Sequence, residues 1–203
     1  MKSPFATATD RFGQDLVEIT HLPFLRLDLR YSTQNNFMKE NLYQGFKQAF
    51  LHRDAYEKFS RAGKLLQEQK AGYRFLLFDA LRPRSVQRKM FQFVASTPMK
   101  DYVADPELGS MHNFGMAIDL SLLNERGQPL DMGTDFDDFS QKAQPQLEEQ
   151  LLQAGELSAE QIANRRFLRQ IMEQAGFLQL PHEWWHYNAL PAEKVRGIYK
   201  IVE

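Results

Sequence analysis

The sequence predicts an α+β fold, a single domain over residues 1–203 with a central, mainly antiparallel sheet flanked by helices. Two observations carry this. Strand-type and helix-type segments are interspersed along the chain and close in hairpin-like order near its end. A length of 203 residues also suits one core with long functional loops.

Residues 1–22 are mixed and partly extended. From Phe24 to Tyr31 apolar and polar residues alternate, which predicts a half-buried strand. Ser32 to Glu40 is polar and reads as a loop. Between Asp54 and Lys70, Tyr56, Phe59, Ala62, Leu65 and Leu66 recur near helical spacing, and Ala71-Gly72 ends that helix. Tyr73 to Phe78 is short, apolar and aromatic, the composition of a central strand. It runs into Asp79-Ala80-Leu81-Arg82-Pro83, where Pro83 either stops regular structure or opens a helix. Ser85 to Ser96 is helical, with Val86, Met90, Phe91 and Val94 on one face. Thr97 to Leu108 is a loop rich in Asp and Pro.

Ala117 to Leu122 alternates and predicts a strand, followed by a turn at Asn124 to Gly127 and an acidic loop from Leu130 to Phe139. Gln146 to Ala154 is helical. Ser158 and Gln161 make a capping box for a helix through Ala175, closed by Gly176. Phe177 to Tyr187 is mostly extended, and Pro191 to Ile201 is a short terminal helix. No repeats or low-complexity segments occur.

Lys plus Arg total 25 and Asp plus Glu total 26, so no electrostatic footprint for nucleic acid or an anionic membrane is expected. No apolar run reaches the roughly 18 residues of a membrane span. The absence of cysteine excludes disulfides, thiolate metal sites and cysteine nucleophiles, and suits a cytoplasm. The first ten residues have no apolar core like that of a signal peptide. The expected compartment is the cytoplasm, or the periplasm if a signal peptide has been removed.

The chemistry concentrates in two stretches. Ser110 to Asp119 offers an imidazole, His112, and a carboxylate, Asp119, seven residues apart. Both are ligand types that suit zinc. Gly115 lets the backbone turn between them. Asp119 lies in an apolar run, where a carboxylate is costly unless paired or metal-bound. Two protein ligands leave a labile site, so a third is sought in His182 to Tyr187. His182-Glu183-Trp184-Trp185-His186 matches H-E-x-x-H, which on a helix would place two histidines on one metal. Two tryptophans and a tyrosine favour a strand instead, and Pro181 leaves little room for an earlier helix start. The metzincin extension would need a glycine and a histidine where Ala189 and Ala192 stand. His186 is therefore assigned as the ligand, Glu183 as the general base and His182 as a neighbour. A regular strand would point Glu183 and His186 to opposite faces, so this assignment requires a turn or bulge at Glu183. Arg82, at the end of a buried strand, is placed to stabilise an oxyanion.

These segments together resemble the D-alanyl-D-alanine dipeptidases of the zinc D,D-peptidase family. The family pattern S-x-H-x-x-G-x-A-x-D is met by Ser110, His112, Gly115, Ala117 and Asp119, and E-W-W-H-Y by Glu183 to Tyr187. D-x-x-R-P is met by Asp79, Arg82 and Pro83, and M-G-x-x-F-D by Met132, Gly133, Phe136 and Asp137. The similarity runs from about Tyr31 to Tyr187. His182 departs from it, standing where an apolar residue is expected.

The resemblance implies a hedgehog/DD-peptidase-like fold and one zinc D,D-dipeptidase domain over residues 1–203. It implies one zinc ion held by His112, Asp119 and His186, with a bound water activated by Glu183, and Arg82 as transition-state stabiliser. Asp137 would receive the substrate's ammonium and Ser110 would contact substrate near its other end. The implied reaction is hydrolysis of D-Ala-D-Ala to two D-alanines. The alternative is a D,D-carboxypeptidase or endopeptidase acting on cell-wall peptides. The expected partner is a small dipeptide, with neither nucleic acid nor membrane.

Overall fold

A computed structural model describes residues 15–203, so most of the partly extended stretch expected over residues 1–22 lies outside the described residues. The strands are β1 Leu16–Glu18, β2 Leu25–Leu27, β3 Phe50–His52, β4 Arg74–Asp79, β5 Ala117–Leu123, β6 Leu178–Leu180 and β7 Glu183–Asn188. The helices are α1 Arg53–Gln69, α2 Arg84–Val94, α3 Glu148–Gln153, α4 Ala159–Gln174 and α5 Ala192–Ile198. The main sheet runs β2-β4-β5-β7-β6, with β2 parallel to β4 and every other pair antiparallel. The α+β class and the mainly antiparallel sheet are as predicted. No helix among the described residues is long and apolar enough to cross a membrane.

Several elements depart from the sequence reading. The alternating segment Phe24–Tyr31 is strand only over Leu25–Leu27. Beyond it the chain turns into a short 3-10 segment at Arg30–Ser32, because Arg30 reaches Asp28 and Asp135 and Tyr31 reaches Asp137. The three-residue strands β1 and β3 pair antiparallel in a small second sheet that the sequence does not announce. The strand Tyr73–Phe78, expected at the centre, is interior, but β5 holds the centre. Strand β5 is also buried at all seven positions. Its alternation therefore separates a core face from the face carrying Asp119, not core from solvent.

The helices form where their apolar faces meet the sheet. Helix α1 opens on His52, whose Nδ1 accepts from the Asp54 amide at 3.2 Å, and buries Ala55, Phe59, Ala62 and Leu66. Helix α4 opens on the Ser158–Gln161 capping box and packs against α1 and β6. Pro83 is the N-cap of α2.

Two irregularities aim side chains at one place. Between β4 and β5 the register shifts at Leu77/Asp79, which sets Asp79 against Asp119. Between β6 and β7 it shifts at Gln179/Leu180, so that Gln179 pairs with Tyr187 but Leu180 pairs with Glu183. Residues 184–186 form the bulge. Gln179 Nε2 holds it by donating to the Trp184 carbonyl and the Tyr187 hydroxyl oxygen, each at 2.9 Å. Both tryptophans are buried. Burying one such ring removes roughly 150–250 Å² from water, on the order of 4–6 kcal/mol at about 25 cal/mol per Å². A ladder hydrogen bond lost at a bulge is worth about 1 kcal/mol, so ring burial wins.

Gly115 connects the short helical turn before β5 to that strand at φ +65°, and a Cβ there would lie 2.7 Å from the His52 backbone nitrogen. Gly115→Ala should therefore lower unfolding stability by about 1–3 kcal/mol, read as a lower urea midpoint at unchanged slope. An unchanged midpoint would contradict this packing.

Candidate metal centre

His112 sits in a 3-10 turn, Met111–Phe114, whose ends are fixed by a reciprocal cap. The His112 amide donates to Ser110 Oγ at 3.4 Å and the Ser110 amide donates to Asn113 Oδ1 at 2.8 Å. The turn is knitted to the segment after β4: the Arg82 amide donates to the His112 carbonyl at 3.0 Å and Asn113 Nδ2 to the Arg82 carbonyl at 2.8 Å. The imidazole donates through Nδ1 to the Ala80 carbonyl, 2.7 Å away. That fixes the tautomer and leaves the Nε2 lone pair facing β5 and β7.

Asp119 and His186 are directly opposed across the β5–β7 ladder. His186 Nε2 donates to Asn188 Oδ1 at 2.8 Å, which turns Nδ1 inward as a lone pair. His186 Nδ1 lies 2.9 Å from Asp119 Oδ1, and His112 Nε2 lies 3.2 Å from both Asp119 Oδ2 and His186 Nδ1. All three residues are buried. Burial alone would push the Asp119 carboxyl up, but the two imidazoles hold it well below its ordinary value. Burial pushes His186 down and Asp119 more than reverses it, so its value is raised.

This arrangement fits a divalent cation. In its neutral form each imidazole commits its one proton to an oxygen outside the cluster, which leaves the facing ring nitrogens as lone pairs and Asp119 Oδ1 buried with no hydrogen-bond donor. Two imidazoles and a carboxylate are a donor set for a first-row divalent metal, and the outward hydrogen bonds to Ala80 and Asn188 orient the two rings toward it.

Glu183 and Arg82 flank the cluster. The β7 bulge resolves the alternation problem by bringing Glu183 Oε2 to 3.7 Å from His186 Nδ1, on the same face. Burial pushes the Glu183 carboxyl up to about 7, with His186 opposing that shift. Arg82 is buried; its Nε and Nη2 reach Asp79 Oδ2 at 2.9 and 2.7 Å, and its Nη1 donates to Gln87 Oε1 at 2.9 Å. Asp79 in turn accepts from the Tyr43 hydroxyl at 2.6 Å. Arg82 Nη2 stands 3.8 Å from Asp119 Oδ2, so the guanidinium borders the cluster.

These groups face a cavity of about 230 Å³, at the small end for ligand pockets. Asp137 is in its wall with φ +60°, a conformation non-glycine residues seldom adopt. Its carboxylate accepts from the Tyr31 hydroxyl at 3.0 Å and the Phe37 amide at 3.4 Å. Recession into the wall pushes this carboxyl up to about 8, against the pull of Tyr31 and Arg82. Phe37 and Phe139, in edge contact at 5.5 Å, continue the wall beside it. Ser110 also lines the cavity.

Every site residue singled out in the sequence thus borders one cavity or its cluster. His182 does not: it is exposed and its Nδ1 is 3.3 Å from Gln146 Nε2, which fits a strand rather than a zincin helix. The sequence reading missed Tyr31, Gln87 and Asn188. Their partners are remote in sequence or hidden in strand register, and no local pattern marks them.

The family profile for peptidase M15, described as D-ala-D-ala dipeptidase, matches residues 14–200. The chain belongs to the M15 peptidase family. An Escherichia coli protein named D-alanyl-D-alanine dipeptidase is 32% identical over 177 residues, 86% of this chain and 84% of that one. A protein of the same name from Enterococcus faecium is 32% identical over 193 residues, 85% of this chain and 88% of its own length. A third, from Synechocystis, is 31% identical over 176 residues, covering 72% and 71%. Membership in this metallopeptidase family agrees with the buried His/Asp/His cluster.

Metal analysis of single variants separates the two histidine readings. His112→Ala should lose its bound metal, while His182→Ala should keep one equivalent per chain. Loss of metal from His182→Ala would restore the H-E-x-x-H reading.

Proposed function

We propose that this M15 peptidase hydrolyses the dipeptide D-Ala-D-Ala to two D-alanines, with one zinc ion held by His112 Nε2, Asp119 and His186 Nδ1. The observation that carries the reading is the convergence of these three donors beside Glu183, in a small cavity whose wall presents Asp137. The names of the relatives supply the substrate class. When bound, zinc supplies Lewis acidity and acidifies coordinated water.

The protein's own groups then divide the work. Glu183 accepts the proton of the attacking water and passes it to the leaving amine nitrogen as the peptide C–N bond breaks. Its raised value suits both halves of that transfer. Arg82, held rigid by Asp79 and Gln87, faces the carbonyl oxygen as it gains charge. Asp137 takes the substrate ammonium; ion pairing offsets the desolvation that raises its carboxyl in the free site. Ser110 contacts the substrate toward its other end. Phe37 and Phe139 crowd the space next to Asp137, so a group attached to the amine would meet both the lost charge and the rings.

Arg82→Ala should lower kcat about 100- to 1000-fold with zinc content unchanged; retention of more than about a tenth of wild-type turnover would contradict the oxyanion role. Asp137→Ala should raise KM far more than it lowers zinc content, and an N-acylated dipeptide should be a poor substrate of the wild type. Efficient cleavage of the acylated peptide would favour a carboxypeptidase. Glu183 must be ionised to act, and its raised value means that activity is lost as pH falls through it. A cation in the cluster works against that shift. The acid limb of kcat, which reports the complex in which the substrate ammonium already pairs with Asp137, should therefore lie at or below about pH 7 with zinc still bound across it. A limb above pH 8 would exclude Glu183 as the base.

A further inference from the structure

The reading above, on which this inference rests, gives the substrate ammonium a carboxylate but gives the substrate carboxylate only a hydroxyl, Ser110. A carboxylate leaving water for a small cavity calls for a cation. Among the described residues two guanidiniums line the cavity, Arg82 and Arg196. Arg82 is already neutralised by Asp79 and bordered by Asp119.

Arg196 is differently placed. It projects from α5, Ala192–Ile198, and is bonded only to neutral oxygens: Nε donates to the Leu108 carbonyl at 3.1 Å and Nη2 to the Gly109 carbonyl at 3.2 Å. No carboxylate among the described residues pairs with it, including Glu193 one turn earlier on the same helix. A guanidinium has five N–H donors. Two are used here, which leaves three, both of those on Nη1 included.

The anchor for this side chain is itself closely packed. Gly109 has φ +76°, and a Cβ there would lie 2.8 Å from Ile201 Cδ1 and 2.9 Å from Phe114 Cε2. The carbonyl that holds Arg196 is thus fixed by the C-terminal segment and by the turn that carries His112, one residue before Ser110. We infer that Arg196 is the receptor for the substrate's free carboxylate, acting beside Ser110 at the edge of the cavity. Its free N–H groups can take the carboxylate as a planar, charge-assisted pair. With Asp137 at the ammonium, both charges of a free dipeptide are matched, and this makes the enzyme selective for a free C-terminus as well as a free N-terminus.

A merely structural Arg196, tying α5 to the 108–109 turn, would affect all substrates alike. The test therefore compares D-Ala-D-Ala with its C-terminal amide, using zinc-loaded wild type, Arg196→Ala and Arg196→Gln. Glutamine removes the charge while keeping an N–H that can still donate to a carbonyl, and it serves if the alanine variant does not fold. Wild type should prefer the free acid by at least tenfold. Each variant should lose about 10- to 100-fold in kcat/KM on the acid, mainly through KM, and change less than about twofold on the amide. Equal losses on acid and amide, or a wild type indifferent to the amide, would overturn the inference while leaving dipeptide hydrolysis intact. Failure of the wild type to cleave either compound would instead overturn the reading of the function itself.

Discussion

A carboxylate buried between two imidazoles is the constraint on which this structure depends. One Asp119 oxygen has no hydrogen-bond donor when both rings are neutral, because each ring then carries its proton on the other nitrogen, His112 Nδ1 toward the Ala80 carbonyl and His186 Nε2 toward Asn188 Oδ1. Removing an ion from water costs several kcal/mol even after relaxation. A divalent cation held by the three residues would turn that cost into coordination. The sheet order that sets β5 beside β7, and the turn that returns His112 over them, place these donors within 4.8 Å of one another.

The rest of the site is tied to that cluster through aromatic packing. Trp184 donates from Nε1 to Thr134 Oγ1 at 2.8 Å, and Trp185 meets Phe136 at 5.4 Å. Phe136 also touches Phe78 and Tyr31. The tryptophans between Glu183 and His186 thus grip the acidic loop that ends in Asp137. A single packed unit sets the distance between Glu183, proposed as the base, and Asp137, proposed to receive the ammonium. On the other side, Gln87 and Asp79, the latter held by Tyr43, fix Arg82 against the cluster. Positional precision here comes from buried hydrogen bonds and ring contacts spread over segments distant in sequence.

That distribution explains what the sequence revealed and what it hid. That His112, Asp119, His186, Glu183 and Arg82 converge on one cavity was legible from a carboxylate in an apolar run, an arginine closing a buried strand and the motifs around them. Helices α1 and α4 were legible from periodicity and, in α4, from the Ser158–Gln161 cap. The means by which Glu183 and His186 share a face was not, because the bulge is a property of β7's register against β6 and leaves no local mark. Strands β1 and β3 are too short to show alternation. Arg196 lies on an exposed stretch of a short helix, and only the fold brings it beside Ser110.

The central claim is that His112, Asp119 and His186 form one zinc site on which dipeptide hydrolysis depends. The most direct measurement is a zinc titration of metal-stripped protein, following D-Ala-D-Ala hydrolysis. Activity should rise in proportion to added zinc and break at one equivalent per chain, and the substitution Asp119→Ala should abolish both binding and turnover. Full turnover by the stripped protein in the presence of a chelator, or a break at two equivalents, would contradict it.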